Sequence, residues 1–209
     1  RRMSSLSFER TQSVAILGGG PGGYEAALAA AQLGAEVTLV ERAGVGGSAV
    51  ITDVVPSKSL IATADAAVAI SAAGDLGVNL YAKGGDGKPQ KPQIAINLAA
   101  VNKRLLALAG QQSEDMRSTL LEAGVRIISG HGRLEGPGAV VISTDAGGTD
   151  FDRVEADTLV VSVGASPREL DSARPDGERI LTWTQLYDMK ALPEHLIVVG
   201  SGVTGAEFA

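Results

Sequence analysis

The chain has 209 residues, 44% hydrophobic and 20% charged, with 27 Gly, no Cys and a net charge of −6. This is an ordinary globular composition. The absence of any basic run excludes nucleic acid as a partner, and the absence of Cys excludes disulfides, cysteine nucleophiles and thiolate metal sites.

Residues 1–12 (RRMSSLSFERTQ) have no apolar h-region, so they read as a disordered tail and not as a secretory signal. No uninterrupted apolar run reaches the ~20 residues that a membrane span needs. The expectation is therefore no membrane span and a cytoplasmic location. His131 and His195 are isolated and share no metal-ligand spacing, so no metal is expected.

SVAIL (13–17) predicts a short buried strand, stopped by GGGPGG. YEAALAAAQLG is rich in helix formers and closes on Gly34, and EVTLVE is a second strand ending in an acid. Strand, glycine turn, helix and strand within about 30 residues make a βαβ unit. VGGSAVITDVVPSK follows (45–58), and SKSLIATADAAVAISAAG predicts a helix with Pro56 at its start. GGDGKPQKPQ (84–93) is a polar loop. Asn97 caps a long helix with Leu98, Val101, Leu105 and Leu108 on one face, running to Gly124. VRIISG is a strand, AVVISTD and FDRVEAD form a small antiparallel pair, and TLVVSVG (158–164) is a fully buried strand. HLIVVG, GSGVTG and AEFA predict a strand, a turn and the start of a helix. A strand and one helical turn cannot bury their own apolar faces, so the chain is expected to end inside a second domain that it does not complete.

Gly18, Gly20 and Gly23 fit G-x-G-x-x-G, with Gly19, Pro21 and Gly22 between them. The three glycines serve the tight turn, the approach of backbone to a pyrophosphate, and close helix packing on the strand. The helix N-terminus supplies free N–H groups to the anion. Glu41 ends the next strand, where a carboxylate can accept ribose hydroxyls. Gly200, Gly202 and Gly205 repeat the pattern, with Glu207 just beyond. Two dinucleotide turns in one chain point to electron transfer between two dinucleotides.

Taken together, GGGPGGYEAALAAAQLG, VTLVER, GVGG, VPSK, GHGRLEG, GASPREL and LIVVGSGVTGAEF resemble the flavoprotein disulfide reductases, and most closely an actinobacterial quinone-reductase-like group among them. The resemblance implies an α/β fold. A Rossmann-like FAD-binding domain over 13–178 would have a parallel sheet plus a small antiparallel β-meander. A linker and the truncated start of a Rossmann-like NAD(P) domain would lie over 179–209. Four of the parallel strands would be present and the fifth absent. It implies FAD and NAD(P)H as cofactors, a quinone or other small-molecule acceptor, and a homodimer at full length.

Site residues follow from the same resemblance. Gly18, Gly20, Pro21, Gly22 and Gly23 would line the FAD pyrophosphate. Glu41 would hold the adenosine ribose, with Arg42 beside it. Gly46, Gly47 and Ser48 would follow the pyrophosphate and ribityl chain. Lys58 would lie near flavin N5, where a cation stabilises negative charge. Gly132 would meet the adenine region. Ser162 and Gly164 belong to a turn in which Val163 stands where the family has Thr. Gly200, Gly202 and Gly205 would take the nicotinamide dinucleotide. The family's redox cysteines would fall at Ala49 and Val54, which carry no sulfur. The expected reaction is therefore hydride transfer from NAD(P)H through flavin to a quinone-type acceptor with no dithiol relay. The alternatives are a pyridine-nucleotide transhydrogenase or diaphorase, and a non-catalytic FAD-binding fragment.

Overall fold

The computed structural model describes residues 11–81, 87–90, 93–143 and 148–209. Residues 1–10 of the expected tail, and parts of the loop over 84–93, lie outside these. The chain divides into two compact units, one from 11–51 and 110–166, the other from 52–109 and 167–209.

The first unit is built on β1 (Ser13–Leu17), whose alternating side chains feed two cores. Val14 and Ile16 face one side, with Ala27, Val37, Leu39, Val45, Leu120 and Val125. Ala15 and Leu17 face the other, with Val40, Val140, Ile142 and Val154. Such a strand, apolar on both faces, belongs inside a parallel sheet covered on both sides. β1 pairs in parallel with β2 (Glu36–Glu41) and with β7 (Thr158–Val161), and β2 pairs in parallel with β3 (Arg126–Ser129). The order is β3-β2-β1-β7. Helix α1 (Pro21–Gln32) and the end of α4 (Leu98–Glu122) cover the first core. An antiparallel sheet of β4 (His131–Leu134), β5 (Ala139–Ser143) and β6 (Asp150–Glu155) covers the second.

Two expectations change here. HGRL is a strand, which its mixed polarity hid; it forms because β5 offers a free edge, with Arg133 opposite Val141. TLVVSVG is not fully buried: β7 is the last strand of the described sheet, and Val161 is 56% exposed.

The second unit contains α3 (Val54–Ser71), the first half of α4, a 3-10 helix (Trp183–Asp188) and α5 (Val203–Phe208). Helix α3 starts two residues before Pro56, which still lies in the first turn where its missing N–H is harmless. Asn97 caps α4 as expected, its Oδ1 accepting the Ala100 N–H at 3.0 Å. The buried stripe of α4 in this unit is Leu98, Asn102, Leu105 and Ala109, while Leu108 is 44% exposed. HLIVVG does not form a strand: it has no partner among the described residues, and Ile197 is 86% exposed. The stretch Gly47–Ser71, shared by α2 (Gly47–Ile51) and α3, is long and apolar enough to cross a membrane by length and composition alone. Asp53, Lys58 and Asp65 interrupt it, and it carries no further argument for a span.

Candidate functional site: two glycine turns and a lysine–glutamate pair

The first glycine turn sits where β1 ends and α1 begins. Gly18 has φ +94°, and a Cβ there would lie 2.2 Å from the Ser162 carbonyl oxygen. A Cβ on Gly23 would lie 1.8 Å from the Gly18 oxygen. Neither position accepts a side chain. Gly20 differs: its φ is −64° and its Cβ would meet nothing nearer than Gly47 Cα at 4.0 Å. Nothing in the first unit's own packing requires glycine at Gly20. An open backbone at a helix start is what an incoming phosphate needs. Gly20 caps α1 without a side-chain hydrogen bond, and Pro21 occupies the first helical position. Tyr24 N–H makes the first helical bond, to the Gly20 oxygen at 2.8 Å.

The loop after β2 closes against this turn. Gly46 N–H donates to the Gly19 oxygen at 2.7 Å. Gly46 and Gly47 have φ +100° and +55°, and a Cβ on Gly47 would lie 2.7 Å from Gly20 Cα. Only glycines let the two backbones approach so closely. Ser162, at the end of β7, has its Oγ 3.0 Å from the place a Gly22 Cβ would occupy. Gly18, Gly20, Gly22, Gly23, Gly46, Gly47 and Ser162 are thus brought together at the carboxyl end of the sheet. In open α/β sheets ligands bind at that end.

Glu41 is also drawn in. Its Oε2 accepts the Gly19 N–H at 2.6 Å, and its Oε1 accepts Ala43 N–H at 2.7 Å and Gly44 N–H at 3.3 Å. The carboxylate ties the turn to the end of β2 while retaining acceptor capacity. Arg42 and Ser48 are exposed nearby in sequence. Gly132 has a packing reason of its own: a Cβ there would come 3.0 Å from Leu17 Cδ2 and 3.2 Å from Val40 Cγ1. Gly164 takes φ +69°, with Val163 63% exposed before it. A cavity of about 240 Å³ lies at the opposite, amino ends of the strands, lined by Ser13, Glu36, Thr38 and Arg126 among others. Its arginines are occupied: Arg126 pairs with Asp152 at 3.3 Å and Arg153 with Glu135 at 2.6 Å.

In the second unit the other glycine turn has the same local build. Gly200 has φ +127°, and a Cβ on Gly205 would lie 2.2 Å from the Gly200 oxygen. Ala206 N–H bonds to the Gly202 oxygen at 2.9 Å, as Tyr24 does to Gly20. Lys58, half-exposed on the first turns of α3, pairs with Glu207 of α5. Sequence reasoning left this pair out, because the two residues stand 149 positions apart. The only signal was an acid two residues beyond Gly205. Two buried hydroxyls in this unit, Ser57 Oγ and Tyr187 Oη, have no hydrogen-bond partner within the described residues. Such groups cost free energy until something meets them. Tyr187 is 4% exposed; burial, with Asp53 and Glu207 adding, pushes its phenol up to about 12. Ala49 lies within α2 and Val54 is the first residue of α3, 47% exposed.

A parallel sheet with a glycine turn of this shape at its carboxyl end defines an α/β dinucleotide-binding protein. The sequence matches the model of the pyridine nucleotide-disulphide oxidoreductases over residues 12–209, and the chain belongs to that family. FAD and NAD(P)H are the cofactors of the family. The chain is 48% identical over 203 residues to an NAD(P)H dehydrogenase (quinone) of Mycobacterium tuberculosis, covering 93% of this chain and 39% of that protein. It is 34% identical to a dihydrolipoyl dehydrogenase of Chlorobaculum parvum (99% of this chain, 40% of that one). It is 31% identical to a soluble pyridine nucleotide transhydrogenase of Mycobacterium bovis (96% and 41%). The crystal structure of LpdA from Mycobacterium tuberculosis superposes with a TM-score of 0.81 at 44% identity, covering 95% of this chain and 41% of that one. The chain thus spans about two fifths of the length of these relatives.

Proposed function

We propose that the protein to which this chain belongs is an FAD-dependent oxidoreductase that passes hydride from NAD(P)H to a quinone-type acceptor without a dithiol relay. The observation that carries the FAD part is the Gly20–Gly47 approach. Gly47 packs against Gly20, yet a Cβ on Gly20 would meet nothing nearer than Gly47 Cα at 4.0 Å, so the start of α1 is left as open backbone. When bound, the flavin supplies the capacity to accept hydride from one partner and deliver electrons to another.

The chain's own residues then have these roles. Gly18, Gly20, Pro21, Gly22 and Gly23, with Gly46, Gly47 and Ser48, line the pyrophosphate, and Gly22 and Gly23 in the first turn of α1 offer it their backbone N–H groups and the helix dipole. Glu41 fixes the turn and offers its remaining lone pairs to the adenosine ribose, with Arg42 alongside. Gly132, Ser162 and Gly164 shape the adenine and flavin ends. Lys58, oriented by Glu207, brings a cation to the flavin N5 environment. Gly200, Gly202 and Gly205 take NAD(P)H. The first segment of the FAD domain runs over 13–178, and 179–209 carry a linker and the start of the NAD(P) domain. The full-length protein works as a cytoplasmic homodimer.

The acceptor is read from the residues at Ala49 and Val54. A dithiol relay needs thiolates there, and neither residue has sulfur. The quinone reading is favoured by the relative at 48% identity, which is named for that acceptor. Transhydrogenation is the second reading, favoured by the relative at 31%. Acceptor kinetics on the full-length protein separate them. Turnover with a benzoquinone and negligible hydride exchange between NADH and an NADP analogue supports the first, and the reverse supports the second.

A further inference from the structure

We propose that Tyr187 is a positioning residue for the Lys58–Glu207 pair, acting through its ring on Phe208. Glu207 and Phe208 are neighbours on α5, a six-residue helix with no side-chain cap and no buried residue. A helix this short does not hold its own place. It needs fixed points outside itself, and two contacts supply them. One is Lys58 with Glu207. The other is the edge-to-face contact of the Tyr187 and Phe208 rings, with centroids 6.2 Å apart and planes at 66°, the geometry that aromatic pairs prefer.

Tyr187 is itself held firmly. Its 3-10 helix opens on a capping box in which Thr182 N–H donates to Gln185 Oε1 at 2.8 Å. At its other end the buried Asn102 of α4 donates through Nδ2 to the Met189 oxygen at 2.9 Å and the Leu186 oxygen at 3.4 Å. Tyr187 lies between these clamps, 4% exposed. A route of fixed contacts therefore runs from Asn102 through the 3-10 helix and the Tyr187 ring to Phe208. It ends one residue from the carboxylate that holds Lys58. The ring carries this role, because the hydroxyl makes no hydrogen bond within the described residues.

The functional consequence rests on the reading of Lys58 as a neighbour of the flavin, so two readouts are needed on the full-length, FAD-loaded protein. The first is the acylation rate of Lys58 by an amine-reactive succinimidyl acetate, followed by mass spectrometry. It reports the pairing with Glu207 directly. The second is the midpoint potential of the bound FAD. Tyr187→Leu is expected to raise the labelling rate about fivefold, the factor an aromatic pair carries. It should lower the potential by about 20 mV, that factor for a two-electron couple. Tyr187→Phe should leave both at wild-type values. In a Lys58→Met background, Tyr187→Leu should lower the potential no further. If Tyr187→Leu does not fold, Phe208→Leu breaks the same ring contact from the other side and should give the same results. Wild-type labelling in the leucine variants, or a potential shift that survives in Lys58→Met, would overturn the proposal. A Lys58→Met protein with an unchanged potential would instead remove the flavin reading of Lys58, and the labelling rates then decide the role of Tyr187 alone.

Discussion

Glycine means different things at neighbouring positions of the first turn. At Gly23 a methyl group would meet the Gly18 oxygen at 1.8 Å. Gly23→Ala must therefore push the helix off the strand, and we expect a loss of about 3 kcal/mol or more in unfolding free energy, together with loss of FAD. At Gly20 the methyl group is accommodated, so Gly20→Ala should unfold within about 0.5 kcal/mol of wild type and still lose FAD affinity. Denaturant unfolding beside FAD fluorescence titration checks both. Equal damage to stability at the two positions would show that Gly20 is structural. Glu41 was legible as an acid at the end of β2, but not as the acceptor of three backbone N–H groups. Glu41→Ala leaves those donors to water or to nothing and should cost about 1–3 kcal/mol, measured by the same unfolding curves in the absence of FAD.

At the scale of elements, periodicity and caps were enough where an element's partners are local or continuous. The run SVAIL, the Asn97 cap and the Gly34 and Gly124 stops all read directly. The failures share one cause: a strand is defined by its neighbour, which one sequence does not display. HGRL became β4 because β5 lies beside it, and HLIVVG stayed unpaired despite a better pattern. The 3-10 helix at Trp183–Asp188 was missed because it is held by distant donors on α4. Its buried Tyr187 gives a pH test. The folded pKa, pushed up to about 12 by burial, lies above the ordinary tyrosine value of 10.0. The group binds its proton more tightly when folded, so its contribution is complete below pH 10 and is lost as pH rises through 12. The difference in unfolding free energy between wild type and Tyr187→Phe should therefore shrink over that interval. A difference that stays flat from pH 9 to 12 would mean the phenol is solvated.

At the scale of the whole molecule, the class of protein was legible because its signature is local: two glycine turns, each followed by a helix, and an acid after β2. The pairing of Lys58 with Glu207 was not, because the two residues meet only in the fold. In the proposed reaction electrons leave without a dithiol. Anaerobic addition of NADPH or NADH to the full-length protein, followed by a benzoquinone, tests it most directly. We predict that the nicotinamide bleaches the flavin absorbance, that no long-wavelength thiolate-to-flavin band accompanies it, and that quinone restores the spectrum while lipoamide does not. A charge-transfer band, or recovery by lipoamide, would contradict the claim.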